Sequence, residues 1–395
     1  MPQVIAQVTV PYAALVDADK RFALKLFHQM VTNAPAQNIL SAPTALFLDF
    51  ALLQNGADTT ASKQMSDVFG WQALSPAQIN KQSAALRQAL VYSWPPTPKN
   101  RAGQQTGEQL IMAGSLWIKS PGAFRHEFIE INKMSFKFTL AAMPANNSLA
   151  ARKINEWAAR QTGTGFDGFF NPASSRDFVL ADTTWFKGSW VQPFLASDTH
   201  PGDFALLSGA KKSVPMMPKS GKQRYLKGPK FQAVGLDYWN AEMYVFLPDE
   251  DSSLADFEQS LTPDNWAAWM QEFDSRAGYL ELPRFHSEYR GDTKLVLQGL
   301  GMDHPFESFH SLASVVANPA GAKLTRVLSI VLLSVDEKGT EVITAASASG
   351  VVGGVGPAQP PPPPPFRMIV NRPFFFAICD RKTKAMLYMG AIVEP

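Results

Sequence analysis

The stretch "VDEKGTEVITAASASGVVGGVGPAQPPPPPPF", residues 335–366, decides the fold of this 395-residue chain. It begins with charged residues, carries none from Val342 to Phe366, and has no aromatic side chain before Phe366. Six consecutive prolines precede that phenylalanine. The flanking sequence is rich in Leu and Phe. A long uncharged segment of small residues is therefore unusual at this place in the chain.

The first part of this stretch has the pattern of a strand that could be added to a sheet. Alternate residues of a strand point to opposite faces. One face has Thr340, Val342, Thr344, Ala346, Ala348 and Gly350, and the other has Glu341, Ile343, Ala345, Ser347 and Ser349. No residue in this run is bulkier than Ile. Gly339 offers a backbone hinge at its start, and the prolines at 360–365 cannot continue a sheet. The segment therefore reads as an exposed loop that is convertible into a central strand, with Thr340 and Thr344 on the face that would turn inward.

Composition places the chain among globular proteins and excludes several functions. Hydrophobic residues make up 46% and charged residues 18% of the sequence, which is typical of a folded core. The net charge of +2 argues against a general attraction to nucleic acid or anionic membranes. Cys379 is the only cysteine, so no internal disulfide forms. No cysteine and histidine cluster indicates a metal site.

The N-terminus "MPQVIAQVTV" has no basic head followed by an apolar core, so no signal peptide is predicted. The chain is expected in the cytoplasm unless a leader was trimmed, in which case it is secreted or periplasmic. The longest apolar run, "VLSIVLLSV" at 327–335, is too short to cross a bilayer.

Predicted helices precede predicted strands, the order of an α+β domain. Residues 12–31 have a helical apolar face, consisting of Leu15, Phe22, Leu26 and Met30. Residues 42–56 predict a buried helix that stops at Gly56, and another helix is expected to begin with Ser148 as its N-cap. The run at 109–119 predicts a strand.

Each pattern that resembles a catalytic or binding motif has a simpler structural explanation. "GTGFDG" at 163–168 matches G-x-G-x-x-G but follows a helix instead of a strand, so helix-capping glycines are favoured. A GxSxG elbow is absent, and the chain is expected not to be an enzyme. A solvated hairpin explains the basic cluster better than a polyanion site does. That cluster consists of Lys219, Lys222, Arg224, Lys227 and Lys230.

At this point the sequence resembles the serpins, from about Val16 to Pro395. "VDEKGTE" at 335–341 is similar to the family's hinge signature, and "NRPFFFAICDRKTKAMLYMGAIVEP" at 371–395 resembles its C-terminal strands. Other similar segments are "ADTTWFKGSW" followed by "QPF" (181–194), "INEWAARQTGTG" (154–165), "VPMM" (214–217) and "LELPRF" (280–285). Together and in this order, these motifs are highly specific.

The resemblance implies one domain over residues 1–395, with N-terminal helices packed on a large central sheet, smaller sheets, and an exposed reactive loop at about 337–366. It implies a monomeric suicide inhibitor: a serine protease cleaves the loop, and the severed loop inserts into the sheet and traps the enzyme covalently. No cofactor, metal, nucleic acid or membrane is implied. The implied hinge consists of Glu337, Gly339, Thr340, Glu341, Val342, Ile343 and Thr344.

The chain departs from the family pattern where the sheet must open. Two serines of the family are replaced by Ala42 and Ala45, a histidine by Ser329, and an asparagine by Asp182; Trp190 is retained. The expected replacement for the polar contact is a hydrogen bond between Asp182 and Ser329. The hinge has Val342 and Ile343 where inhibitors favour alanine, and bulkier residues would slow insertion. The alternative function is therefore a non-inhibitory binding, storage or chaperone-type protein that is cleaved as a plain substrate.

The family's spacing, counted from Glu337, puts the cleaved bond at Gly353–Gly354. Val352–Gly353 is favoured on chemical grounds because valine can fill a protease pocket, and Val355–Gly356 is a third possibility. No Lys, Arg, Asp or aromatic residue lies between 342 and 359. The expected partner is therefore an elastase-like or subtilisin-like serine protease. The prolines are expected to be a stiff spacer rather than an SH3-type ligand.

Overall fold

Two β-sheets and the helices around them make up the part of the chain that the structure describes. This structure is a computed structural model, and it describes residues 10–94, 108–119, 124–162, 178–317, 323–340 and 364–395. The helices are α1 Ala13–Asn33, α2 Pro43–Leu53, α3 Thr59–Phe69, α4 Pro76–Ser93, α5 His126–Ile131, α6 Asn147–Thr162, α7 Leu254–Ser260, α8 Pro263–Glu272, α9 Lys294–Gly299 and α10 His304–Glu307.

The strands follow mainly in the second half of the chain. They are β1 Ile39–Ser41, β2 Gln109–Lys119, β3 Thr139–Met143, β4 Phe178–Ser189, β5 His200–Ala205, β6 Lys211–Lys227, β7 Phe231–Asp237, β8 Ala241–Pro248, β9 Asp274–Pro283, β10 Phe285–Asp292, β11 Arg326–Val335, β12 Gly339–Thr340, β13 Phe366–Ile369, β14 Phe374–Asp380 and β15 Met386–Ile392. The predicted α+β class is confirmed.

The N-terminal helices form as their apolar patterns predict. In α1 the predicted face is buried, namely Leu15, Phe22, Leu26 and Met30. Every residue of α2 is buried, and a short 3-10 turn ending at Gly56 follows it. Ser75 and Gln78 begin α4 with a capping box, in which each side chain binds the other's backbone amide. The capping box satisfies amide groups that the first turn leaves unpaired.

The start of α6 differs from the prediction. Ser148 lies within the first turn of the helix, not at its N-cap. The side chain of Asn146 accepts a hydrogen bond from the amide of Leu149 at 2.9 Å. Asparagine caps a helix about as well as serine does, and the helix begins one residue before the predicted cap. Helix α6 buries Ile154 and Trp157 against strands β2, β4 and β11.

The first sheet has the strand order β10-β11-β4-β2-β3, with β12 paired to the end of β4. Strands β4 and β11 are parallel neighbours, whereas β4 pairs with β2 and β10 with β11 in antiparallel fashion. A parallel pair inside a mixed sheet is joined by a long crossover, here the chain between β4 and β11. We call the contact between β4 and β11 the junction.

The second sheet has the order β1-β15-β14-β8-β7-β6-β9-β13, and β5 pairs with β6. Strands β8, β14 and β15 are buried along their whole length. Aromatic rings from β8, α7 and β14 meet at their centre, where Phe246, Phe257 and Phe375 lie within 5.8 Å of one another. This core fixes the C-terminal strands that follow the loop. No helix in the described ranges is long and apolar enough to span a membrane.

Candidate functional site: the hinge and the junction

The junction is closed along most of its length. Parallel pairing runs from Val179 opposite Arg326 to Trp185 opposite Leu332. Beyond this point β4 continues to Ser189 without a partner from β11. The two strands are therefore in direct contact over seven residue pairs and separate towards one end.

The first residues of the loop occupy that open end. Gly339 pairs with Ser189 and Thr340 with Gly188, antiparallel to β4. The chain reverses through a tight turn after β11, in which the Asp336 carboxylate accepts hydrogen bonds from the Lys338 and Gly339 amides at 2.8 and 3.1 Å. The loop therefore enters the sheet for two residues before the described segment ends.

Gly339 is required at this turn. Its φ of +147° is disfavoured for residues with side chains. A Cβ atom added there would lie 2.0 Å from the carbonyl oxygen of Gly188. Any residue other than glycine at this predicted hinge position would clash with β4 unless that strand moved.

Thr340 points into the core, on the face predicted from the alternating pattern. The residue is 1% exposed, and its hydroxyl lies 2.8 Å from the hydroxyl of Tyr238. Tyr238 is fully buried. Its ring stacks on Trp190 with 4.1 Å between centroids and meets Phe186 edge-on at 5.1 Å. Trp190 thus forms one wall of the slot that holds Thr340.

Trp190 also holds the turn of the hinge directly. Its indole N–H donates to the carbonyl oxygen of Asp336 at 2.9 Å. Its backbone amide donates to the carbonyl oxygen of Lys338 at 3.0 Å. Burying an indole N–H without a partner is costly, so the tryptophan and the hinge stabilise each other.

Glu337 anchors the other side of the hinge. Its carboxylate accepts hydrogen bonds from the Arg284 guanidinium at 2.5 Å and the Thr199 hydroxyl at 2.6 Å, and its carbonyl oxygen accepts from the Phe194 amide at 2.8 Å. Burial opposes ionisation of Glu337, but the bonds from Arg284 and Thr199 outweigh it and lower the pKa of this carboxyl. An ionised side chain therefore ties the hinge to Arg284, between β9 and β10, and to Thr199, just before β5.

Sequence reasoning missed three residues of this site, namely Tyr238, Glu108 and Arg284. The Glu108 carboxylate accepts hydrogen bonds from the backbone amides of Ser189, Trp239 and Asn240, each at 3.1 Å. It thereby connects the end of β4 to the turn that carries Tyr238. Tyr238 and Glu108 belong to no motif that signals their role. Arg284 lies in the "LELPRF" segment, which could have identified it.

The expected hydrogen bond across the junction is present. The hydroxyl of Ser329 on β11 donates to the carboxylate of Asp182 on β4 at 2.5 Å. Burial raises the pKa of Asp182 to about 7, although the bond from Ser329 acts in the opposite direction. Ala42 and Ala45, at the start of α2, line small cavities next to Asp182. The residues assigned to sheet opening are therefore gathered under the junction, while Trp190 lies at its end.

Other predicted residues fall outside the described part of the chain. These include Glu341, Val342, Ile343 and Thr344 of the hinge, the candidate reactive residues Val352, Gly353 and Gly354, and the "GTGFDG" segment. Among the described residues, no three His, Cys, Asp or Glu side chains are grouped to hold a metal ion.

Most of the basic cluster is engaged in local contacts. Lys227 binds Asp249, Lys230 binds Asp251, and Arg224 binds Glu242. Lys219 donates to the carbonyl oxygen of Gln192. These contacts use most of the positive charge, which agrees with the hairpin explanation.

Comparison with known proteins matches this geometry to one family. The family model described as "Serpin (serine protease inhibitor)" matches residues 17–395. Serpin-ZX of Arabidopsis thaliana is 24% identical over 385 residues, covering 93% of this chain and 95% of the relative.

Two solved structures have the same fold. The thermophilic serpin Tengpin in its native state aligns with a TM-score of 0.83 at 22% identity, covering 96% of this chain and 94% of Tengpin. Human thyroxine-binding globulin aligns with a TM-score of 0.82 at 21% identity, covering 98% and 99%. With the family model spanning the loop, the hinge and both sheets, the chain belongs to the serpin family.

Proposed function

We propose that this protein is a suicide inhibitor of serine proteases. The protease serine attacks a carbonyl carbon in the loop, the peptide bond breaks, and the new amino terminus leaves. The loop then remains esterified to the protease. Insertion of the loop into the junction carries the protease along and distorts its active site before water can hydrolyse the ester.

The observation that carries this proposal is the seating of Gly339 and Thr340 beside β4. Both residues pair antiparallel to that strand at the end where the junction is open. An added strand must separate β4 from β11 and can bond to both. Extending the same pairing along β4 lets the loop advance without reversing its direction or shifting its register.

Insertion would release enough free energy to compete with hydrolysis. Each backbone hydrogen bond contributes about 1 kcal/mol net. An insertion of about a dozen residues, with the apolar burial that accompanies it, gives on the order of 10 kcal/mol. That free energy is sufficient to favour loop insertion in its competition with hydrolysis of the acyl-enzyme.

The target proposed for this loop is an elastase-like or subtilisin-like protease. The sequence from 342 to 359 has no basic, acidic or aromatic anchor. Val352 is the side chain that a small apolar pocket would hold, worth about 1.5 kcal/mol or more when buried. The reactive bond proposed is Val352–Gly353 or Gly353–Gly354. The prolines at 360–365 would hold this segment away from the body of the protein, since six polyproline residues span about 19 Å.

A non-inhibitory function is the second candidate. Val342 and Ile343 are bulkier than the alanines that inhibitors favour, and slow insertion leaves time for hydrolysis. Thyroxine-binding globulin, which shares the fold, is named for binding thyroxine. On this alternative the loop is cut, the protease is released, and the protein acts through binding.

Incubation with a panel of serine proteases separates the two functions. An inhibitor gives a covalent complex that survives a denaturing gel, together with loss of protease activity. Cleavage of the loop by elastase-like and subtilisin-like enzymes without any covalent complex would support the non-inhibitory alternative.

A further inference from the structure

Two buried carboxyl groups lie together beneath the junction. Asp182 on β4 and Asp49 on α2 are each 2% exposed, and both line a cavity of about 10 Å³ with Ala45, Leu48 and Gly114. One carboxyl oxygen of Asp49, Oδ2, is buried without a hydrogen-bond partner among the described residues. The family resemblance assigns no role to Asp49.

The other charged or titratable groups around this cavity are few. Arg87 on α4 lines the cavity and is partly buried, with its guanidinium 5.9 Å from the centre of the Phe138 ring. Among the described residues Arg87 does not bond to Asp49 Oδ2, although its positive charge acts on that carboxyl group. Tyr289 on β10 faces Asp182 from the other side.

The remaining neighbours of the carboxyl pair carry no charge. Ser329 on β11 contributes its hydroxyl. The remaining lining is uncharged and comes from α1 (Leu26 and Met30), β1 (Leu40 and Ser41), β2 (Met112, Ala113 and Gly114), Phe138 and Thr293. A single partly buried guanidinium therefore faces two buried carboxyl groups.

Two carboxyl groups that line one small buried cavity are expensive to ionise together. Burial and then the nearby charge of Asp182 raise the pKa of Asp49, and the positive charge of Arg87 opposes this only in part. Burial also raises the pKa of Asp182 to about 7. When like charges share a dry site, one group retains its proton. The pair therefore holds a proton near neutral pH that two exposed aspartates would have lost.

We propose that the buried pair Asp49 and Asp182 retains one proton in the closed junction and releases it when β4 and β11 separate, so that acid holds the junction closed. This inference rests on the proposed function, since it concerns the opening step that loop insertion requires. Separation breaks the bond from Ser329 to Asp182 and admits water to the cavity. Hydrated carboxyl groups return towards their ordinary pKa and lose the proton.

The direction of the pH effect follows from this exchange. The closed junction binds one more proton than the open one between the ordinary aspartate pKa of 3.8 and the raised value of about 7 for Asp182. In that interval, each unit of rising pH favours opening by up to about tenfold. Below and above it, the effect disappears.

Insertion of a separate peptide measures opening directly. A fluorescent synthetic peptide with the sequence of residues 340–352 is added to the intact protein, and its incorporation rate is followed between about pH 5.5 and pH 7.5. The expected rate increases by about tenfold or more over this range. In the double variant Asp49→Asn/Asp182→Asn no buried carboxyl group remains to release a proton, and the increase should fall below about threefold. Each single variant keeps one buried carboxyl group and should show an intermediate increase, which is the measurement to use if the double variant does not fold.

Asp19→Asn is the matched control. Asp19 is also fully buried with a pKa raised by burial to about 7, but it binds Thr44 and does not line the junction cavities. This variant should keep the full pH response. A rate that does not change with pH in the unmodified protein, or an unchanged response in the variants that lack one or both carboxyl groups, overturns this inference alone. Absence of peptide incorporation at every pH overturns the insertion mechanism as well.

Discussion

The hydroxyl groups of Thr340 and Tyr238 lie 2.8 Å apart in the core of the protein, at the place where the reactive loop enters the sheet. Both residues are at most 1% exposed. The loop of this serpin therefore does not begin at the protein surface. Thr340 is already packed as part of a strand, and the rest of the insertion starts from that position.

Replacing Thr340 with arginine should convert an inhibitor into a substrate. A charge in the slot beside Tyr238 and Trp190 costs several kcal/mol unless it finds a partner. The loop would still be cut, but insertion would be slowed. The measurement is the number of inhibitor molecules consumed per protease inactivated, which should rise steeply. Thr340→Ser keeps the hydroxyl and is the control. An unchanged ratio in the arginine variant would mean that Thr340 leaves the slot during insertion.

Glu337→Gln should weaken the hinge at neutral pH and not in acid. The pKa of Glu337 is lowered in the folded protein, so its ionised form contributes stability above the unfolded pKa of about 4.5. This contribution is lost as pH falls through the lower, folded value. We expect a loss of about 1 kcal/mol at pH 7, reduced because Arg284 is half-exposed.

Chemical denaturation at pH 7 and pH 3 checks this difference. Glu288→Gln removes an exposed partner of Arg290 on β10 and should change the free energy of unfolding by less than about 0.5 kcal/mol at either pH. Equal effects of Glu337→Gln at both pH values would contradict an ionic role for this residue.

Cutting the loop near Val352 should raise thermal stability strongly. The severed segment becomes free to complete the sheet between β4 and β11, which adds backbone hydrogen bonds and buried side chains. Scanning calorimetry before and after limited proteolysis measures the change in unfolding midpoint. The Thr340→Arg protein, nicked in the same way, should gain much less. An unchanged midpoint in the unmodified protein would argue for the non-inhibitory function.

The reactive bond can be identified from the new amino terminus. Mass spectrometry of the C-terminal fragment, taken after denaturation, should show a chain that begins at Gly353 or Gly354. Elastase-like and subtilisin-like proteases should form the complex. Trypsin has no basic side chain to bind between 342 and 359, and strong inhibition of trypsin through this loop would refute the assignment.

Much of the fold could be predicted because its signals are local. The apolar face of α1, the buried α2 and the limits of β2 follow from residue spacing alone. The inward direction of Thr340 follows from the alternation of a strand. The hydrogen bond between Asp182 and Ser329 could also be predicted from the sequence, because both residues replace polar residues of the family pattern at facing positions.

The rest of the site depends on contacts between distant parts of the chain. Tyr238 lies in a turn after β7, and its partner Thr340 follows about a hundred residues later. Asp49 is the only charged residue of α2, and only the packing of α2 beneath β4 brings it to Asp182. Glu108 precedes a strand and reads as an ordinary surface residue. Sequence spacing carries no information about such pairs.

The strands that follow the loop determine what cleavage leaves behind. Phe366 opens β13 directly after the prolines, stacks on Tyr225 at 4.4 Å, and is followed by the buried strands β14 and β15. One cysteine in the chain means that no disulfide joins the two pieces, yet the C-terminal piece lies inside the core and has no route out of the folded protein. A cleaved molecule therefore keeps its mass in native chromatography. The cleaved protein would remain a complex of two chains, and the cleavage would be detected only after denaturation separates them.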